Sequence, residues 1–343
     1  MSGKRVRCCW RDLRTLDILN WKLRQIEVRG MAIAGEAKEW LIGRFKGTVS
    51  FDEPMTRHTS FRVGGPADAY IEPETVEELA AIVEWAGEKG IPYLVIGAGT
   101  NLLVRDKGFR GMVLNLSRCL NRIEPKDRSR DSVRVDAMAG VKLQRLCRYA
   151  IAKGLEGLSF ALGIPGTVGG AVMMNAGTSK GSMQDVLDAV ECLWPDGRIE
   201  AIERKNLVYS YRTLSFKRAA ACGNPVILGG CFRLRSADPE ALKQEAKTIL
   251  DARKKREPRF PNAGCFFKNP NSETPAGRLI EQAGFKGERI GDAEVSQRHA
   301  NYIINRGDAS AAEILELANR IRHTVLARFG IDLKTEVRIV GEA

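Results

Sequence analysis

Four glycines and a proline fall within nine residues, Gly163-Ile164-Pro165-Gly166-Thr167-Val168-Gly169-Gly170-Ala171. Such a run is poor helix and poor strand. It leaves a loop whose bare backbone can lie flat against a ring or a diphosphate. A second glycine turn lies upstream. Leu94-Val95-Ile96 reads as a buried strand that empties into Gly97-Ala98-Gly99-Thr100-Asn101-Leu102. Glycines there let backbone N–H groups approach a phosphate, and Thr100 and Asn101 add side-chain donors. The dinucleotide fingerprint G-x-G-x-x-G is not met, and apolar residues follow, so a helix dipole is not the binding device. A plain tight turn accounts for either segment alone. Two such loops after strand-like segments favour a large phosphate-bearing cofactor.

The chain has 343 residues, room for two or three domains. Its 44% apolar content is that of a globular protein. The net charge of +12 fits an anionic small molecule or a nucleic acid. No RNA-binding signature or zinc-finger spacing accompanies it, so nucleic-acid binding is the weaker reading. Part of the excess sits in residues 1–30, where Lys4, Arg5, Arg7, Arg11, Arg14, Lys22, Arg24 and Arg29 face only Asp12, Asp17 and Glu27. The eight cysteines form no C-x-x-C pair, which argues against a disulfide framework or a zinc site. No metal is expected. No apolar run reaches membrane-spanning length and the basic N-terminus lacks a signal core, so a cytoplasmic location without membrane contact is expected.

Residues 1–45 read as a poorly ordered extension, with Met31 an alternative start. Order begins near Phe51. Ser60 to Ile71 reads as strand, tight turn, strand. Thr75 to Lys89 reads as a helix with a Thr75/Glu78 capping box and a Gly90 stop. Val141 to Lys153 is a second helix. Ala189 to Trp194 and Arg198 to Ile202 form a hairpin around Pro195-Asp196-Gly197. Further helices are expected over Pro239 to Lys255 and Ala311 to Phe329, the latter capped by Ser310 with Glu313 three residues on. A last strand covers Glu336 to Val340. This mixture is an α+β fold. The expected division is 1–45, a two-part region 46–236 (46–115 and 116–236), and a smaller domain 237–343.

Asn262-Ala263-Gly264-Cys265-Phe266-Phe267-Lys268-Asn269-Pro270 gathers an ionisable thiol, a cation and an amide within five residues. That density points to chemistry on an anionic substrate. Lys254, Lys255, Arg256 and Arg259 lie just before it and either face the same anion or form a solvated helix end.

Together these motifs resemble the UDP-N-acetylenolpyruvoylglucosamine reductase (MurB) family. The resemblance runs from Ser60-Phe61-Arg62-Val63-Gly64-Gly65-Pro66-Ala67 through both glycine loops to Tyr211-Arg212. It continues through the thiol segment and Val295-Ser296-Gln297-Arg298-His299-Ala300-Asn301 to Glu336-Val337-Arg338, covering roughly residues 50 to 341. It implies an FAD-binding domain of the vanillyl-alcohol-oxidase type plus a smaller α/β substrate-binding domain. The expected enzyme is a monomer with two small-molecule ligands, NADPH and the enolpyruvyl UDP-sugar.

The resemblance also implies residue roles. Gly97, Ala98, Gly99, Thr100, Asn101 and Leu102, with Gly163, Ile164, Pro165, Gly166, Thr167, Gly169 and Gly170, match the flavin loops. Arg212, Cys265 and Glu336 match the catalytic positions, and Tyr211, Lys268, Asn269, His299 and Arg338 the substrate-binding ones. Cysteine stands at 265 where the family more often has serine. An unperturbed thiol, with a pKa of about 8.5, remains mostly protonated at neutral pH and can still donate a proton. Three other readings stay open on sequence: another oxidoreductase of the same flavin superfamily, a Cys-His hydrolase using Cys265 and His299, and a basic nucleic-acid binder.

Overall fold

The computed structural model describes residue 33 and residues 35–129, 132–217, 224–271 and 273–343. Three sheets organise it. The first has strand order Thr48–Pro54, Pro66–Glu72, Phe109–Asn115, Tyr93–Ile96, antiparallel for the first pair and parallel for the others. The helix Val76–Lys89 covers it, with its apolar face of Leu79, Ile82, Val83 and Ala86 buried. Thr75 accepts the Glu78 N–H at its start and Gly90, left-handed at φ 65°, ends it. Ser60 to Arg62 is a turn rather than the expected strand; Thr59 closes it on Val63 through Oγ1. The partner of Pro66–Glu72 is Thr48–Pro54 instead.

The second sheet is antiparallel, in the order Ile199–Glu203, Leu187–Leu193, Val226–Ser236, Val133–Met138, Ile123–Arg128. The expected hairpin and the helix Leu143–Ala152 are both present. Within the glycine-rich run, Val168–Met173 forms a short helix, contrary to the sequence expectation of a loop throughout. Thr167 caps it by accepting the Gly170 N–H, and Gly169 fits because its Cα packs directly on Ala139. Close packing against the sheet, rather than helix propensity, decides the conformation there.

Gly35–Arg44 is helical, with Leu41 buried and Trp40 stacked on Trp85 at 3.9 Å between ring centroids. Burial of that aromatic pair orders a segment whose local sequence shows little amphipathic pattern. The N-terminal calls on residues 1–32 lie outside the described residues. The helix Pro239–Arg256 lies beside the helix Leu143–Ala152 and the segment after it: Ala246 joins the core shared by the first two sheets, Ser159 Oγ donates to Glu245, and Ala237 N–H donates to Gly154 O.

The smaller domain is built on Arg289–Ile290, Ala293–Val295 and Ile303–Asn305, with helices Ala276–Gln282 and Ala311–Phe329, around a second core to which Phe61, Val63 and Leu103 of the first subdomain also contribute. Strand pairing and a helix cap are among the contacts that join it to the first subdomain. Arg338–Val340 pairs in parallel with Leu102–Val104. Asp106, just beyond that strand, accepts the N–H groups of Ala311 and Ala312 at 2.8 and 2.9 Å, satisfying free donors at the start of the last helix. Asp106→Ala is expected to lower stability by about 1 kcal/mol. The midpoint of urea unfolding checks this; an unchanged midpoint contradicts the cap.

Candidate active site

The pairing of Arg338–Val340 with Leu102–Val104 sets the site's geometry. It begins where the first glycine turn ends. Arg338 N–H donates to Asn101 O at 3.0 Å, and Asn101 Nδ2 donates to Glu336 O at 3.1 Å. Glu336 N–H donates in turn to Phe266 O at 2.8 Å. Glycine turn, glutamate and thiol segment are thereby held in one register. Ser60 adds a further tie: its N–H donates to Gly99 O at 3.1 Å and its Oγ to Asn262 O at 2.6 Å.

The second glycine loop closes on the first. Thr100 Oγ1 donates to Pro165 O at 3.4 Å, and Gly97 lies so near Thr167 that no Cβ would fit. Gly99 is left-handed at φ 60° and lies against the His58 carbonyl. Among the described residues, the N–H groups of Ala98, Gly99 and Thr100 donate to no acceptor of the chain. Successive unpaired N–H groups on a glycine turn suit a phosphate-bearing group.

Arg212 reaches this junction from a two-residue turn between Leu207–Ser210 and Thr213–Phe216. Its backbone is left-handed at φ 57°, a conformation that favours glycine or asparagine. Asn175 holds the turn through Nδ2 to Ser210 O at 3.3 Å. Arg212 Nη1 donates to Gly177 O at 2.8 Å, and its Nε forms an ion pair with Glu336 Oε1 at 2.9 Å. The pair is largely buried, with side-chain exposures of 22% and 15%. Burial raises the Glu336 carboxyl above its ordinary pKa; Arg212 and Lys268 oppose that rise.

The thiol segment is fixed by the buried Asn301. Phe266 N–H donates to Asn301 O, Phe267 N–H to Asn301 Oδ1, and Asn301 Nδ2 to Phe267 O, at 2.7, 2.9 and 2.8 Å. Asn262 Oδ1 accepts the Gly264 N–H at 2.9 Å, and Gly264 turns through φ 79°. Cys265 is left half-buried between them. Burial, reinforced by the Glu336 charge, pushes its thiol up to about 11, against the opposing influence of Arg212. A thiol so raised is an acid, not the thiolate that a Cys-His hydrolase requires. His299 Nδ1 accepts the Asn301 N–H at 3.2 Å, and burial lowers the ring's pKa, so it stays neutral.

The other sequence-selected residues divide. Lys268 is near enough to Glu336 to influence its charge. Tyr211 is exposed, with the Arg212 guanidinium 5.2 Å from its ring centroid. Asn269 Oδ1 is occupied by the Ala276 N–H at 3.0 Å, at the start of a helix that sequence reading missed. Arg338 joins through its backbone while its side chain is exposed. Four neighbours were not selected: Ser60, Asn175, Tyr302 and Arg253. Arg253 lies against Gly163 and pairs with Glu257 at 2.6 Å, just before the basic run that was singled out.

Residues 67–203 match a family model described as an FAD binding domain, and residues 256–340 one described as the UDP-N-acetylenolpyruvoylglucosamine reductase C-terminal domain. The UDP-N-acetylenolpyruvoylglucosamine reductase of Desulfosudis oleivorans is 46% identical over 308 residues, covering 89% of this chain and 98% of that one. The chain belongs to the UDP-N-acetylenolpyruvoylglucosamine reductase family. The enzyme of the same name from Heliobacterium modesticaldum is 43% identical over 87% of this chain and 93% of its own. The crystal structure of the reductase from Thermus caldophilus superposes with a TM-score of 0.70 at 33% identity, covering 86% of this chain and 99% of that one. Family membership makes this chain a flavin oxidoreductase with FAD as cofactor, on the α+β architecture expected from sequence.

Gly99→Ala is expected to lose FAD, because a Cβ would meet the His58 carbonyl and φ 60° strains alanine. The flavin-to-protein absorbance ratio after purification measures this; full retention contradicts the close approach. Glu336→Gln removes the negative charge that raises the Cys265 thiol. The thiol pKa then falls, the thiolate fraction at pH 8 rises, and iodoacetamide labels Cys265 about threefold faster or more. Slower labelling would reverse the assigned sign.

Proposed function

We propose that the protein reduces UDP-N-acetylglucosamine enolpyruvate to UDP-N-acetylmuramate in peptidoglycan precursor synthesis, with NADPH as reductant. The names and coverage of the relatives support the substrate. The observation that carries the reaction is one junction: a protonated thiol, a buried arginine–glutamate pair and the first glycine turn, joined through Asn101 and Phe266. A nucleotide-sugar substrate and NADPH assign the reaction to the cytoplasm.

FAD, which the glycine loops around Gly97–Leu102 and Gly163–Gly170 would hold, would supply the hydride carried from NADPH to C3 of the enolpyruvyl group. Negative charge then develops at C2 and spreads into the substrate carboxylate. Arg212 supplies positive charge for that carboxylate, and Lys268 supplies more. Cys265 gives its proton to C2: the S–H bond breaks, the C–H bond forms, and a thiolate remains for solvent to reprotonate. Glu336 anchors the Arg212 guanidinium, and its negative charge keeps Cys265 protonated until the proton is required. Tyr211, Asn269, His299 and Arg338 form the surrounding substrate-binding set in this reading.

The test separates the two half-reactions in the FAD-loaded enzyme. Cys265→Ala should leave flavin reduction by NADPH within about twofold of wild type, yet slow product formation by about a hundredfold or more. Cys265→Ser should retain measurable turnover. Full turnover by the alanine variant excludes the thiol as proton donor.

A further inference from the structure

Cys265 is tied to the first glycine turn from both sides. On its C-terminal side, Asn101 reaches Phe266 through Glu336. On its N-terminal side the tie is Ser60, which the proposed chemistry leaves without a role. The Ser60 N–H donates to Gly99 O at 3.1 Å, and its Oγ lies 2.6 Å from Asn262 O and 3.3 Å from Gly99 O. A hydroxyl has one proton to give. The shorter distance assigns that proton to Asn262 O, since Gly99 O already accepts the N–H. Asn262 passes the constraint on: its Oδ1 accepts the Gly264 N–H at 2.9 Å, one residue before the thiol.

Ser60 is itself firmly held. Thr59 Oγ1 closes the turn on Val63 at 2.8 and 3.2 Å, and the neighbouring Phe61 is buried in the second core. Asn305 Nδ2 donates to Phe61 O at 3.0 Å, and Asn305 N–H to Pro261 O at 2.8 Å, beside Asn262. At Gly264, by contrast, nothing lies within 4 Å of the place a Cβ would take. Packing does not crowd the chain there, so hydrogen bonds carry the placement.

We propose that Ser60 is a positioning residue that fixes the Cys265 sulfur relative to the flavin-binding turn. This rests on the proposed role of Cys265. Hydride and proton go to adjacent carbons of one substrate, so their donors must be placed against each other. A misplacement of about 1 Å can cost about a hundredfold in rate. The Ser60 hydroxyl acts on the thiol side alone, because the Ser60 N–H still holds Gly99 O when the hydroxyl is gone.

Ser60→Ala in the full-length, FAD-loaded enzyme tests this. FAD content and flavin reduction by NADPH should stay within about twofold of wild type, while oxidation of the reduced enzyme by the enolpyruvyl UDP-sugar slows about tenfold. Ser60→Thr, which restores a hydroxyl, should recover most of that loss. In substrate-free enzyme, Cys265 of the alanine variant should react with iodoacetamide about threefold faster or more, followed on its peptide by mass spectrometry. A merely structural role predicts loss of FAD or equal slowing of both half-reactions, and either result overturns the proposal. Unchanged labelling overturns it too, as does a threonine variant no faster than alanine. If Cys265→Ala retains full turnover, the error lies in the proton donor. If Cys265→Ala is slow and Ser60→Ala oxidises at the wild-type rate, it lies in Ser60.

Discussion

Three residue pairs of parallel sheet, Arg338–Val340 against Leu102–Val104, support everything at the centre of this protein. They unite a C-terminal strand with the exit of a glycine turn 235 residues away, as measured by the Asn101–Glu336 hydrogen bond. Parallel strands impose a fixed slant and register. A slip of one residue would exchange Glu336 for Val337, putting a buried apolar side chain where the carboxylate meets Arg212. The alternation of Val337 into the core and Glu336 into the junction is therefore an energetic lock. Burial of Val337 favours the same register that chemistry requires.

Electrostatics at the junction follows from a competition that burial wins. Arg212 sits 2.9 Å from Glu336, and such a neighbour alone would lower a carboxyl pKa. The net direction is upward, because both side chains are mostly removed from water. The same logic governs Cys265. Its nearest cation opposes the rise, but burial and the adjacent carboxylate outweigh it. A thiol half-enclosed beside a carboxylate is kept as an acid, whereas the same thiol beside an unpaired arginine would be drawn toward thiolate. The ion pair thus serves two ends at once: Glu336 fixes the guanidinium and also cancels its pull on the sulfur.

Much of this was legible in the sequence where a local rule governs. The helices Val76–Lys89 and Ala311–Phe329 carry capping residues and glycine stops; both stops and the full Ser310/Glu313 box form. Thr75 accepts the Glu78 N–H, but the Glu78 carboxylate takes the Glu74 and Lys46 N–H groups instead of closing the expected box. Arg212, Cys265 and Glu336 were selected by motif, and they do converge. What escaped depends on tertiary contact. The helix Gly35–Arg44 is ordered by a Trp40–Trp85 stack that no window of sequence contains. Val168–Met173 is helical because Gly169 permits close packing on Ala139, against the usual meaning of a glycine run.

The backbone at Arg212 carries a cost that clarifies its purpose. A side chain at φ 57° is disfavoured by about 1–3 kcal/mol, and glycine would adopt the turn freely. The surroundings offset it by hydrogen bonds that glycine could not make: Arg212 Nη1 to Gly177 O, and the ion pair to Glu336. Asn175, itself left-handed at φ 41°, braces the same turn from the second glycine-rich segment. Two non-glycine residues in strained conformations, braced against one another, hold a guanidinium at a point reached by neither glycine loop. The strain is local, but the contacts that sustain it come from the 175–177 segment and from Glu336, whose carbonyl is held in turn by Asn101 at the first glycine turn. Arg212 can therefore keep this geometry only while all three are assembled, which couples completion of the fold to completion of the site.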